Sequence, residues 1–251
     1  MNIIIPMSGI GERFLQAGYT TPKPLIDVEG KPIIQHIIER FSPEDNFIFI
    51  CNQNHLKTTE LKKTLLKITR NKTILEIPQH KLGPVYAVLQ ASTHINDDEP
   101  YIVNYCDFSW RWDYDDFKTF LEKNVCDGCV VTYKGFHPHL LGPNSYASLR
   151  TDGNKALEIR EKHSFTLNKM NSHQSSGTYY FRRGSDIKKY FQHLIDKKLN
   201  LNGEYYVSMA YQPMIEDHQQ VLIYEIPYFL QWGTPEDLSE YLGWSDYFKK
   251  N

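Results

Sequence analysis

Short, wholly apolar runs alternate with stretches whose apolar side chains recur every three or four positions through the first half of the chain. Residues 2–7 (NIIIPM) form such a run and end in turn chemistry, the pattern of a strand buried on both faces. Within 33–41, Ile33, Ile34, Ile37, Ile38 and Phe41 fall on one helical face. Residues 47–51 (FIFIC) read as the next buried strand, and Leu61, Leu65 and Ile68 mark a second amphipathic helix. A strand at 73–77, a helix at about 84–91 and a strand at 101–105 continue the rhythm. Such alternation predicts an α/β fold: three layers, with a mostly parallel central sheet between helices.

The pattern changes after about residue 128. Segments 129–134, 146–150, 155–160 and 177–182 are strand-like, and Asp152-Gly153 offers a hairpin turn. Helices are expected near 187–197 and 204–215, a strand at 221–226, and a last helix begun by Thr234-Pro235-Glu236, a capping residue followed by proline. There is no repeat, low-complexity tract or Gly/Ser linker, so residues 1–251 read as one domain.

The balance of 28 Lys and Arg against 30 Asp and Glu gives a formal charge of −2, which argues against a general binder of nucleic acid or of membrane surfaces. Cys51, Cys106, Cys126 and Cys129 are too few for a disulfide-built scaffold. No apolar run approaches the ~18 residues that span a bilayer. The first residues lack a basic leader, and Pro6 and Gly9 interrupt their apolar stretch, so a signal peptide is not expected. A cytoplasmic protein is the expectation, and self-association into a homo-oligomer stays open.

Candidate chemistry starts directly after the first strand, at Met7-Ser8-Gly9-Ile10-Gly11-Glu12-Arg13-Phe14. Glycines there allow backbone N–H groups to turn inward on an anion. Phe14 occupies the third glycine position of a dinucleotide fingerprint, and no G-K-[ST] follows, so neither a Rossmann nor a Walker loop is present. Instead Arg13 lies in the loop, and Lys23 sits between Pro22 and Pro24 on a stiffened backbone. An anion nest with an Arg and a pinned Lys suits a triphosphate.

Together, Gly9-x-Gly11-x-Arg13, Pro22-Lys23-Pro24-Leu25 and Gly30-Lys31-Pro32 closely resemble the signature of the nucleotidyltransferases that make activated sugars and related phospho-compounds. The resemblance runs along most of the chain. It implies a Rossmann-like, GT-A-type sheet with an added acceptor-binding β-hairpin region. Residues 1–125 would form the nucleotide-binding half and 126–251 the acceptor half. Met7, Ser8, Gly9, Ile10 and Gly11 would then hold the nucleotide, with Gln79, Gly83 and Pro84 reading the base. Asp107 matches the family's magnesium-binding Asp. Tyr146 and the Glu161-Lys162 pair fit its acceptor hairpin, and Gly177 the glycine strand that follows. Trp232 to Asp237 match the closing motif.

One position departs from the pattern. Many family members carry a second acidic metal ligand where this chain has Gln231. Asp113, Asp115 and Asp116 are the nearest other acids, and read better as a solvated helix start. His137-Pro138-His139 lacks a third ligand and is expected as a loop beside the acceptor pocket. Cys126-Asp127-Gly128-Cys129 has no partner pair and reads as a turn entering a strand.

The implied reaction joins a nucleoside triphosphate to a phosphorylated small molecule and releases pyrophosphate, with Mg²⁺ as cofactor. Catalysis would rest on positioning and charge: Arg13, Lys23 and Asp107 on the triphosphate, Lys162 and Glu161 on the acceptor. The Ser-Gly-Ile-Gly opening, Lys134-Gly135-Phe136-His137-Pro138-His139 and the run from Phe229 to Asp237 resemble a capsule-locus branch of the family, which implies CTP as donor and L-glutamine phosphate as acceptor. A sugar-phosphate acceptor stays open. The alternatives are a GT-A-like glycosyltransferase using Asp113-Tyr114-Asp115, and a non-catalytic nucleotide-sensing module.

Overall fold

The computed structural model describes residues 1–250. Its strands are β1 (Asn2–Met7), β2 (Asp27–Val28), β3 (Lys31–Pro32), β4 (Asn46–Asn52), β5 (Lys72–Ile77), β6 (Tyr101–Asn104), β7 (Phe108–Arg111), β8 (Gly128–Tyr133), β9 (Ser148–Asp152), β10 (Lys155–Arg160), β11 (His173–Phe181), β12 (Val221–Glu225) and β13 (Tyr228–Gln231). The helices are α1 (Glu12–Gln16), α2 (Ile33–Ile38), α3 (Gln53–Thr58), α4 (Leu61–Ile68), α5 (Gly83–Gln90), α6 (Tyr114–Lys123), α7 (Gly184–Asp196), α8 (Tyr211–Glu216) and α9 (Pro235–Lys250).

A nine-stranded sheet in the order β5-β4-β1-β6-β11-β8-β12-β10-β9 forms the middle layer. Strands β5, β4, β1 and β6 pair in parallel, as do β8 and β12. Strand β11 runs antiparallel to β6 and β8, and β10 to β12 and β9. The sheet is therefore mixed, with its parallel part carrying the glycine loop at 8–13. Alternation along β1 sends Ile3 and Ile5 into one core and Ile4 into the other. Helices α2, α4 and α6 cover the first face, and α5, α7 and α8 the second. Three layers follow from strands that are apolar on both sides.

The hairpin at Asp152-Gly153 joins β9 to β10, with Gly153 at φ 52°. The helix expected over 204–215 is not continuous. Residues Leu201 and Glu204 bridge to each other, a 3₁₀ turn follows at Val207–Ala210, and α8 starts only at Tyr211. The reason is a competing backbone partner. Tyr205 N–H donates to Leu82 O at 3.0 Å, and Val85 N–H donates to Tyr205 O at 3.2 Å. Tyr205 is thereby held extended against the start of α5.

Two short pairings position the site and escape periodicity. Strand β13 pairs with β7, setting Gln231 opposite Phe108, and Trp232 N–H donates to Asp107 O at 3.2 Å. The hairpin β2–β3 leads directly into α2. Among the described residues, no helix is long and apolar enough to cross a membrane.

Candidate active site

The loops at the carboxyl ends of β1, β5 and β6 enclose a cleft of about 570 Å³. This is the edge where parallel α/β sheets collect ligands. Met7, Ser8, Gly9, Ile10, Gly11 and Arg13 line it, joined by Lys23, Gly83, Pro84 and Asp107. Gly11 turns the chain at φ 68°, a left-handed conformation that lets residues 8–13 curl round the opening. The buried Asn52, at the end of β4, anchors the loop from below: its Nδ2 donates to Ser8 O at 3.2 Å.

Lys23 heads a single 3₁₀ turn, with Pro22 at φ −56° before it and Pro24 buried behind it. Its Nζ donates to Asp107 Oδ2 at 3.0 Å and to Gly233 O at 2.8 Å. The ring of Phe14 lies 5.2 Å from the same ammonium. Arg13 is exposed at the rim, and its charge reaches the phenols of Tyr146 and Tyr206.

Gly83, at φ 84°, opens α5. A Cβ there would meet Tyr205 N and O at 2.8 Å, so the glycine lets the 204–206 segment close one wall of the cleft. Glu204 and Tyr206 line that wall, and sequence reasoning assigned neither a role. Gln79 is exposed and lies outside the cleft lining, whereas its neighbour His80 lies in it. His80 Nε2 sits 2.9 Å from Ser8 Oγ, a link no motif announced.

The four residues assigned to the acceptor are not part of the cleft lining, and of them Lys162 touches it through Tyr206. Lys162 leaves β10 at φ 50°, and its Nζ donates to the Tyr206 hydroxyl at 2.9 Å. That hydroxyl donates in turn to Glu204. The Glu161 carboxyl accepts from Ser208 Oγ at 2.5 Å. Burial pushes Glu161 up to about 7, against the opposing effects of Ser208 and Lys162. Tyr146 packs against Tyr133, His139 and Phe229. Burial drives its phenol far above the ordinary value, and the nearby Asp107 adds to this. Gly177, at φ 86°, is fixed by packing: a Cβ would stand 2.6 Å from Phe108 Cε1.

The histidine pair belongs to the same aromatic group. His139 Nε2 is 2.8 Å from Tyr133 Oη, and burial pushes it down to about 3, which keeps the ring neutral. His137 Nε2 accepts from Phe229 N–H at 3.4 Å. Cys126 and Cys129 are both buried at the entry to β8, and burial raises both thiols. Asp113 caps α6, accepting from Asp115 N–H at 3.1 Å and Asp116 N–H at 3.0 Å.

Among the described residues, no three His, Cys, Asp or Glu side chains cluster as a metal cage. Mg²⁺ in phosphoryl chemistry needs less, one or two carboxylates with phosphates and water completing the shell. Asp107, in the cleft lining, could supply such a carboxylate. A Cβ on Gly233 would lie 2.6 Å from Gln231 Nε2 and 3.5 Å from Asp107 Oδ2, so the Gln231 amide sits beside that carboxylate. The Asp107 carboxylate could hold such an ion with phosphates and water completing its shell, and the Gln231 amide oxygen could join them.

Bifunctional protein GlmU of Methanocaldococcus jannaschii is 29% identical over 241 residues, covering 96% of this chain and 53% of that protein. Its counterpart in Methanococcus maripaludis (strain C5) is 35% identical over 99 residues, 39% of this chain and 23% of that protein. The chain thus spans about half or less of the curated relatives it matches. In structure, a nucleoside-diphosphate-sugar pyrophosphorylase from Vibrio cholerae superposes with a TM-score of 0.78 at 20% identity, covering 96% of this chain and 99% of that one. The inositol-1-phosphate CTP transferase from T. maritima gives 0.73 at 14% identity, covering 96% and 93%. These likenesses are of fold. Residues 3–166, more than half of the chain and including the phosphate loop, Lys23 and Asp107, match the family model described as MobA-like NTP transferase domain, and the chain belongs to that family.

Proposed function

We propose that the protein transfers a nucleoside monophosphate from a nucleoside triphosphate to a phosphorylated small molecule, releasing pyrophosphate. The observation that carries this reading is the Lys23–Asp107 contact at 3.0 Å in a cleft rimmed by the glycine loop. A cation and a metal-type carboxylate meet there where phosphates would lie.

In this reading a phosphate oxygen of the acceptor attacks the α-phosphorus in line. A new P–O bond forms, the bond from the α-phosphorus to the bridging oxygen breaks, and pyrophosphate leaves with that electron pair. No covalent enzyme intermediate is needed. Backbone N–H groups of residues 8–11 cradle the triphosphate, while Arg13 and Lys23 offset charge on the α- and leaving phosphates. Asp107, with Gln231 beside it, would hold Mg²⁺, which supplies neutralisation of phosphate charge when bound. Lys162, steadied by Tyr206 and supported by Glu161, meets the acceptor phosphate.

CTP and L-glutamine phosphate are the specific substrates proposed, with capsular polysaccharide precursor synthesis as the setting. The Ser8 to Gly11 opening, the 134–139 segment and the 229–237 run support this through their resemblance to a capsule-locus branch. Glycosyl transfer has less support, because Asp113 spends its carboxylate capping α6 and lies outside the phosphate cleft. A pyrophosphate-release screen tests the whole reading, with CTP, UTP, ATP and GTP against glutamine phosphate and a panel of sugar 1-phosphates. Release with CTP and glutamine phosphate is expected. Release with a different pair would replace the substrates, and no release with any pair would remove nucleotidyl transfer.

A further inference from the structure

The link between Ser8 and His80 has a direction. Leu82 N–H donates to His80 Nδ1 at 3.2 Å, so that nitrogen carries no proton. Burial holds the ring below its ordinary pKa, which favours the neutral form with its single proton on Nε2. Nε2 lies 2.9 Å from Ser8 Oγ and therefore donates to it. Ser8 spends a lone pair on histidine and keeps its own O–H for another acceptor. The Tyr86 ring packs on the imidazole at 4.7 Å and limits its rotation. With the Ser8 carbonyl held by Asn52, both ends of this cleft residue are fixed from outside the loop.

We propose that His80 is a positioning residue that aims the Ser8 hydroxyl into the cleft as a hydrogen-bond donor to the nucleoside triphosphate. This rests on the reading of the cleft as the nucleotide site. A donor held in one direction loses little freedom on meeting an anion, and a hydrogen bond to a charged group is worth about tenfold or more in affinity.

Two substitutions split the two bonds of the ring. In His80→Asn the side-chain oxygen stands near the place of Nδ1, keeping the Leu82 contact and losing reach to Ser8. In His80→Gln the amide nitrogen stands near the place of Nε2, keeping the donor to Ser8. Calorimetric binding of CTP, UTP, ATP and GTP, with Mg²⁺ and without acceptor, is measured for the full chain and for Ser8→Ala, His80→Asn, His80→Gln and the Ser8→Ala/His80→Asn double variant. For the triphosphate bound most tightly, Ser8→Ala and His80→Asn should each weaken binding about tenfold. The double variant should be no weaker than Ser8→Ala, and His80→Gln should stay within about threefold of the parent. Parent-like binding by His80→Asn, additive losses in the double variant, or His80→Gln as weak as His80→Asn would each overturn the proposal while leaving the nucleotide site standing. If the parent chain binds none of the four, the nucleotide reading and this inference fall together.

Discussion

Lys23 Nζ lies 3.0 Å from Asp107 Oδ2, although 84 positions separate the two residues. The contact joins the prolyl turn after the phosphate loop to the end of β6, and Gly233 O completes it from the closing motif. Three stretches distant in sequence thus converge on one ion pair. Its side chains are 18% and 35% exposed, so the pair is sheltered but open to an entering phosphate.

Removing the carboxylate charge tests the metal role. Asp107→Asn should lower kcat by about 10²-fold or more, because electrostatic stabilisation is the largest catalytic contribution. Gln231→Ala should cost less than about tenfold, since its neutral amide is a weaker partner for a hard cation. Turnover of both variants across an Mg²⁺ titration separates them. Equal losses would make Gln231 a full ligand, and near-normal turnover of Asp107→Asn at saturating Mg²⁺ would remove the assignment.

Lys23 and Lys162 should fail differently. In the proposed reaction Lys23 meets phosphates whose charge redistributes in the transition state, so Lys23→Ala should depress kcat with both substrates saturating. A contact made equally in ground and transition states appears mainly in KM. Lys162→Ala should therefore raise the acceptor KM about tenfold while leaving the nucleotide KM within about twofold. Separate titrations of the two substrates decide the matter, and loss of nucleotide affinity in Lys162→Ala would overturn the two-sided arrangement.

Lys162 also adopts φ 50°, a conformation that costs a non-glycine residue about 1 kcal/mol. Lys162→Gly should consequently raise stability by up to about 1 kcal/mol while impairing acceptor use. Urea unfolding beside acceptor kinetics would show the two effects moving in opposite directions. A destabilised variant would mean that the bond to Tyr206 outweighs the backbone relief.

Much of this arrangement is legible in the sequence. Strands such as 2–7 and 47–51 announce themselves because both faces are apolar, and each motif sits at a strand end or a proline-flanked turn. What periodicity missed depends on distant partners. The β7–β13 pair is only four residues long on each side and forms between segments far apart in the chain. The expected helix over 204–215 gave way because the Tyr205 backbone found partners in Leu82 and Val85. For the same reason the sequence does not mark Glu204 and Tyr206 as cleft residues, since only the 204–206 segment's pairing brings them to Gly83. His80 directly follows Gln79, and nothing local distinguishes which of the two faces the cleft.

Gly83 offers a stability test with a built-in control. It combines φ 84° with backbone atoms 2.8 Å from a would-be Cβ. Gly153 has φ 52° and open space around it. Gly83→Ala should lose about 2–4 kcal/mol, from strained backbone and overpacking together, and Gly153→Ala about 1 kcal/mol. Urea midpoints of the two variants compare them directly. Equal losses would show that the 204–206 segment yields to the added methyl.

Glu161 makes stability depend on pH in a stated direction. Its carboxyl, buried beside Ser208, is raised from 4.5 to about 7. The folded chain therefore holds this proton over a range where the unfolded chain has released it. The stabilisation from the protonated group is fully present below about pH 4.5 and is lost as pH rises through about 7. Discounted for the partial exposure of the residue, the loss is on the order of 2 kcal/mol. Glu161→Gln cannot ionise and should not follow this slope. The stability of Glu161→Gln relative to the parent should thus increase between pH 5 and pH 8. Urea unfolding of both chains at the two pH values measures the difference, which cancels the titration of every other group to first order. A constant gap would mean that Glu161 titrates as an ordinary carboxylate and that its burial does not keep water away.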